Sequence, residues 1–134
     1  MLAWTKDLAT GIGVIDDQHK ELFKRVNDLL SAMKQGKGKE QLAGLLGFLA
    51  DYVVTHFGTE EKFMQAHDYP QSLGHKAEHM SFVRNLSDLR KRFDQEGPGS
   101  LLAIESQRLL VDWWYNHIGK SDKALGAFLK GKGV

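Results

Sequence analysis

Cysteine is missing from the 134 residues, so this chain can build neither a disulfide nor a thiolate metal site. Proline occurs only twice, at Pro70 and Pro98, which leaves long stretches free to run as helix. An excess of either charge is also lacking. The 18 basic and 17 acidic residues give a formal net charge of +1, and no basic stripe invites nucleic acid. Charges interrupt every apolar run well before the roughly 18 residues of a membrane span, so no membrane insertion is expected. The opening Met1-Leu-Ala-Trp-Thr-Lys-Asp7 has no charged segment followed by an apolar one, and the expected location is the cytoplasm. Strand-like alternation is nearly absent.

What is present is ordinary in amount, 42% hydrophobic and 26% charged, enough for one buried core. The pattern predicts an N-terminal arm (1–15), four long helices at about 16–36, 39–67, 71–95 and 99–119, and a short C-terminal helix near 122–130. Asp16 or Asp17 is placed to cap the first helix, and Gln71 or Ser72 opens the third. Gly36-Lys-Gly38 and Glu96-Gly97-Pro98-Gly99 are breakers, and the tail from Gly131 to Val134 is expected to fray. Short connections between long helices imply an all-α, up-down-up-down antiparallel four-helix bundle, one domain over residues 1–134.

The unusual residues are five histidines and two carboxylates at helical spacing: His19, His56 with Glu60, His75 with His79, and His117 with Asp122. A helical core stripe recurs at i, i+3, i+4 and i+7. In the second helix it runs Leu42, Leu45, Leu46, Leu49, Val53, His56, Glu60, Phe63, so His56 and Glu60 lie in line with leucines. His75 and His79 share a stripe with Phe82, Leu86, Leu89 and Phe93. His19 lines up with Leu22, Val26, Leu29 and Met33, and His117 with Leu110 and Trp113. Burying an ionised carboxylate without a partner costs several kcal/mol, so something must compensate these groups. His19 begins its helix, His56 and Glu60 end theirs, His75 and His79 begin the third and His117 ends the fourth. In an antiparallel bundle those four ends coincide. Nitrogen and oxygen donors suit divalent iron, zinc or manganese, and seven donors are too many for one ion.

Asp122 needs a structural explanation. Five residues of α-helix would turn it about 140° away from His117, so the helix must end or distort between them, and Gly119 offers a place. His67 falls outside the set and reads as a solvated last-turn histidine. Taken alone, a His–Glu pair four residues apart is usually a surface pair, and a lone histidine is usually a core or cap residue. The segment His75-Lys-Ala-Glu78-His79 also matches the inverted zinc-protease pattern, with Glu78 as general base. That reading leaves the remaining five residues without a purpose. The Trp113-Trp114-Tyr115 run reads as core filling and bundle edge.

Gly13-Val-Ile-Asp-Asp-Gln-His19, His56-Phe-Gly-Thr-Glu60-Glu-Lys-Phe-Met64, Tyr69-Pro70 leading into His75-Lys-Ala-Glu-His79, and Trp113-Trp-Tyr-Asn-His117-Ile-Gly-Lys-Ser-Asp122-Lys together resemble the hemerythrin family in its single-domain bacterial form. The resemblance spans nearly the whole chain. It implies two non-heme iron ions, one held by His75, His79 and His117 and the other by His19 and His56. Glu60, Asp122 and an oxo or hydroxo group would bridge them. Counted so, the first iron is six-coordinate, whereas the second has five ligands and one open position for dioxygen or another small diatomic or anionic ligand. Ile15, Phe23, Phe57, Phe63, Met64 and Phe82 are candidate walls of a dry pocket.

The implied function is reversible dioxygen binding for storage, transport or delivery, by a monomer that is not an enzyme, with an oxygen-consuming enzyme as recipient. The alternative is a di-iron oxidase, peroxidase or nitric-oxide-handling enzyme using the same site; a structural zinc or mixed-metal bundle is a third. One departure stands out. Family members commonly carry Trp-Leu where this chain has Trp113-Trp114, and the bulkier Trp114 would narrow the pocket or the oxygen route.

Overall fold

Between Lys34 and Gly38, Ala66 and Ser72, and Glu96 and Ser100 the chain has only a few residues in which to reverse, and helices joined so tightly lie antiparallel. The computed structural model describes residues 4–134; residues 1–3 of the expected N-terminal arm lie outside the described residues. A 3-10 turn at Lys6–Leu8 precedes α1 (Gly13–Lys34), α2 (Gly38–Ala66), α3 (Ser72–Glu96) and α4 (Ser100–Trp113). The chain then continues as a π-helix, Trp114–Asp122, and as α5, Lys123–Gly131. No strand occurs among the described residues. Contacts at both ends fix the directions of the bundle helices. Late α3 meets early α4 in the Arg92–Glu105 ion pair, while early α1 meets late α2 where His19 and His56 approach.

Two turns use glycine for its backbone freedom: Gly36 after α1 (φ 73°) and Gly97 after α3 (φ 75°) both sit in the left-handed region. A third glycine serves close approach. A Cβ on Gly126 of α5 would lie 2.3 Å from the Thr10 carbonyl oxygen, so only glycine lets the N-terminal arm cross there.

Four sequence expectations change. α1 starts at Gly13 rather than 16, with Ile12 in the N-cap position, and neither aspartate caps it. Buried Asp16 instead holds the arm: the Thr10 N–H and hydroxyl both donate to its Oδ1 at 2.8 Å, and the Gly11 N–H donates to Oδ2 at 3.2 Å. The fourth helix neither reaches 119 as α-helix nor ends there, because the chain stays helical through the π segment into α5. The tail is not frayed. Gly131 closes α5, and the N–H groups of Lys132, Gly133 and Val134 bond back to the Leu129 and Lys130 carbonyls at 3.0–3.1 Å.

The core is divided in two. The larger cluster runs through the bundle and includes Leu22, Phe23, Leu49, Tyr52, Phe57, Phe82, Trp113 and Trp114. A smaller one, Ile12, Ile15, Met64, Tyr69, Leu125 and Leu129, closes the far end beneath the arm. Along α1 the order is Ile15, His19, Leu22; along α2 it is Phe57, Glu60, Met64. The polar residues therefore form a layer between the two apolar clusters. The most apolar 18-residue window of α2 reaches a mean hydropathy of 1.2, enough by length and composition to cross a membrane. That helix carries the exposed charge of Asp51, however, and turns His56 and Glu60 into the bundle.

Candidate metal centre

All seven sequence-predicted residues meet in that polar layer, and none is more than 3% exposed. α1 delivers His19, α2 delivers His56 and Glu60, α3 delivers His75 and His79, and the π-helix delivers His117 and Asp122. The π-helix explains the five-residue spacing. Its backbone hydrogen bonds run from residue i to i+5, so residues five apart come to stand one above the other. Gly119 sits inside this wide turn, where an added Cβ would lie 3.3 Å from the Trp114 carbonyl oxygen.

The donor atoms fall into two groups that share both carboxylates: Glu60, His75, His79, His117 and Asp122, and His19, His56, Glu60 and Asp122. Glu60 turns Oε1 to His75 Nε2 (2.9 Å) and His79 Nε2 (3.0 Å), and Oε2 to His56 Nε2 (3.0 Å). Asp122 does the same, with Oδ1 at 2.9 Å from His117 Nε2 and 3.1 Å from His75 Nε2, and Oδ2 at 2.9 Å from His19 Nε2. The Nε2 atoms of His19 and His56 are 3.1 Å apart.

These separations fit metal ligation. Two donors at right angles, each about 2.1 Å from one ion, stand about 3.0 Å from each other. Hydrogen bonding does not account for all of the donors. Among the described residues, Glu60 Oε2, His117 Nε2 and both Asp122 oxygens are buried without a hydrogen-bond partner, although nitrogens lie as near as 2.9 Å. Such orphaned atoms are rare in folded proteins unless something else satisfies them. Five imidazoles and two carboxylates, with no sulfur, suit iron.

The histidines are held from behind. Thr59 Oγ1 donates to the Thr55 carbonyl (2.9 Å) and so accepts from Gln18 Nε2 (3.1 Å). That fixes Gln18 with Oε1 toward His56 Nδ1 at 2.6 Å, which puts the His56 proton on Nδ1 and frees Nε2 for the interior. Glu61 accepts from His79 Nδ1 (3.1 Å), and Glu78 from His117 Nδ1 (2.8 Å) and the Ser121 hydroxyl (2.8 Å). In each case a residue beside one site residue steadies a histidine delivered by a later helix. Aromatic rings complete the support: Phe57 stacks on His79 (3.9 Å), Trp113 on His117 (3.8 Å) and Tyr52 on His56 (4.8 Å).

Sequence reasoning did not identify Gln18, Thr59, Glu61, Ser121 or Tyr52, and it met Glu78 only in the protease pattern. For all but Tyr52 the signal was a polar neighbour directly before or after a site residue; Tyr52 lies one helical turn before His56. Of the six candidate wall residues, Phe23, Phe57 and Phe82 belong to the main core, whereas Ile15, Met64 and the partly buried Phe63 belong to the smaller cluster. Trp114 is buried and packs on Phe23 at 4.6 Å. His67 caps the end of α2, half-buried and apart from the centre.

Burial alone would lower the histidine pKa values, but the Asp122 and Glu60 carboxylates outweigh it and raise His19 and His75 to about 9 and His117 to about 10. Glu60 moves the other way. Burial pushes its pKa up, yet His56 and the surrounding imidazoles hold it well below the carboxylate range. Asp122 is likewise lowered, as His117, His19 and His75 overcome burial and the charge of Glu60. Without a metal, His19, His75 and His117 are thus held toward the imidazolium form beside the Glu60 and Asp122 carboxylates.

The chain matches the family described as "Hemerythrin HHE cation binding domain" over residues 10–129. It is 40% identical over 121 residues to a bacteriohemerythrin of Pseudomonas paraeruginosa, covering 90% of this chain and 76% of the relative. With the bacteriohemerythrin of Methylococcus capsulatus it shares 38% identity over 130 residues, covering 96% and 97%. Myohemerythrin-1 of Phascolopsis gouldii is 31% identical over 119 residues, covering 89% and 87%. A crystal structure of a hemerythrin with leucine replaced by alanine superposes with a TM-score of 0.78 at 37% identity, over 96% of this chain and 97% of that one.

Proposed function

Because this chain belongs to the hemerythrin family, we propose that it is a non-heme di-iron protein that binds dioxygen reversibly, for storage, transport or delivery, without consuming it as an enzyme. The observation that carries this reading is the division of five histidines, three against two, about two carboxylates that each offer one oxygen to either group. His75, His79 and His117 would hold one iron and His19 and His56 the other, with Glu60 and Asp122 shared. The group with two histidines has one protein donor fewer, and the small ligand would bind on that side. A bound pair of ferrous ions supplies two electrons that can be lent to one dioxygen molecule and recovered.

The rest of the work falls to the protein. The shared carboxylates offset the ionic charge in a buried site. Gln18, Glu61 and Glu78 fix ring orientation through the outer imidazole nitrogens, an arrangement that raises ligand basicity and affinity. The two apolar clusters on either side exclude water and outside reductants. The proposal includes a single domain acting as a monomer in the cytoplasm, with an oxygen-consuming enzyme as recipient.

The test is a cycle of aeration and degassing on anaerobically prepared ferrous protein. Reversible carriage gives a visible absorption that rises with oxygen, disappears on degassing and returns over repeated cycles. Prompt irreversible oxidation on first exposure, with peroxide released or consumed, overturns carriage in favour of an oxidase or peroxidase.

A further inference from the structure

Tyr52 carries a phenol that the fold leaves unused. The residue is only 6% exposed, and among the described residues its hydroxyl has no hydrogen-bond partner. A buried unsatisfied hydroxyl destabilises a protein, so a chain without a use for it would do better with phenylalanine. Its position is specific. It precedes His56 by one helical turn on the same stripe of α2, and its ring lies nearly parallel to the His56 imidazole, at 4.8 Å and 19°. On its other side it meets Phe48 at 5.6 Å, so it stands at the boundary between the apolar core and the polar layer. It flanks the group with two histidines, whereas the aromatic supports of the other group, Phe57 and Trp113, stack on His79 and His117. A phenol O–H can donate one hydrogen bond and its oxygen can accept others.

We propose that Tyr52 is a ligand-recognition residue, whose O–H donates a hydrogen bond to a small acceptor, dioxygen or a small anion, bound on the His19–His56 side of the centre. The inference rests on the di-iron reading above and adds a polar contact to an otherwise apolar pocket. It selects for ligands with an exposed lone pair and lengthens their stay. The same hydroxyl is a cost in the metal-free protein, where it has nothing to bond.

The experiment compares wild type with Tyr52→Phe, which deletes one oxygen and leaves the ring in place. The probes are azide titrated into the di-ferric protein and oxygen release from the ferrous one. The expected result is azide affinity weakened roughly tenfold and oxygen release faster by a similar factor, from the loss of one hydrogen bond to a charged or polarised acceptor. Metal-free Tyr52→Phe should melt no lower than wild type, and about 3 °C higher if the orphaned hydroxyl carries its usual cost. A readout independent of iron loading in the variant is the tyrosine ultraviolet Raman spectrum of the wild-type protein, whose hydroxyl-sensitive bands should move when azide is added. Unaltered azide affinity and oxygen release in Tyr52→Phe, or tyrosine bands that ignore azide, overturn the role of Tyr52 while leaving the di-iron reading standing. A wild-type protein that binds iron but neither azide nor oxygen overturns both.

Discussion

Glu60 and Asp122 face the two histidine groups in the same way, each giving one oxygen to either side at 2.9–3.0 Å from the nearest imidazole nitrogen. Neither residue can be spared if the two halves are to hold metals as a pair. Glu60→Gln keeps the shape but removes the charge and replaces one oxygen by an NH2 donor. Bound iron should fall from two ions per chain to one or fewer, by elemental analysis after gel filtration, while helicity by circular dichroism stays near wild type.

His56→Ala removes one of the two nitrogens on the proposed ligand-binding side. Oxygen binding should be lost and iron content should drop, again with the bundle intact. Unaltered binding would refute the assignment of His56.

Thr59→Val tests a residue that touches no site atom directly. Without the Thr59 hydroxyl, the Gln18 amide loses the hydrogen bond that orients it, and its NH2 can face His56 as readily as its oxygen. The His56 proton is then no longer held on Nδ1. Chelator competition should show iron affinity reduced about 10- to 100-fold, the usual cost of removing such support. Nitrogen-15 NMR of the metal-free protein should show a mixed His56 tautomer.

The protonation of the centre sets opposite pH trends for the metal-free and metal-bound protein. His19, His75 and His117 are raised from 6.5 to about 9, 9 and 10, so their stabilising contribution is complete below pH 6.5 and disappears as pH rises through 9–10. The lowered Glu60 and Asp122 contribute above the ordinary carboxylate range and lose that contribution in acid. Urea unfolding of the metal-free protein should therefore show a lower midpoint at pH 9.5 than at pH 6. Metal must displace the imidazolium protons, so iron affinity should rise with pH over the same window, with proton release seen as a buffer-dependent heat of binding.

Trp114 is buried against Phe23 at the first position of the π-helix. Trp114→Leu should cost roughly 2–3 kcal/mol in lost burial. If Trp114 narrows the ligand route, stopped-flow kinetics of the variant should also show faster oxygen binding and release.

Much of this was legible in the sequence because helical periodicity is a local property. Placing His56 and Glu60 in line with leucines required no knowledge of the other helices, and the short connections then brought the four ends together. The five-residue gap before Asp122 signalled a distortion, but not its kind. A π-helix is imposed by the demand that His117 and Asp122 face the same interior, a tertiary condition that no local propensity encodes. Asp16 misled for a related reason: an aspartate near a helix start usually caps it, whereas here it sits in the first turn and binds the arm behind it. Gln18, Glu61 and Glu78 lie beside the core stripes, and their partners are on neighbouring helices. Periodicity along one helix says nothing about contacts across two.

The most direct measurement of the central claim is anomalous diffraction at the iron edge from crystals of the iron-loaded protein. Two peaks of similar height per chain are predicted, one among His75, His79 and His117 and the other beside His19 and His56, both within bonding distance of Glu60 and Asp122. A single peak, or iron bound away from these seven residues, would contradict it.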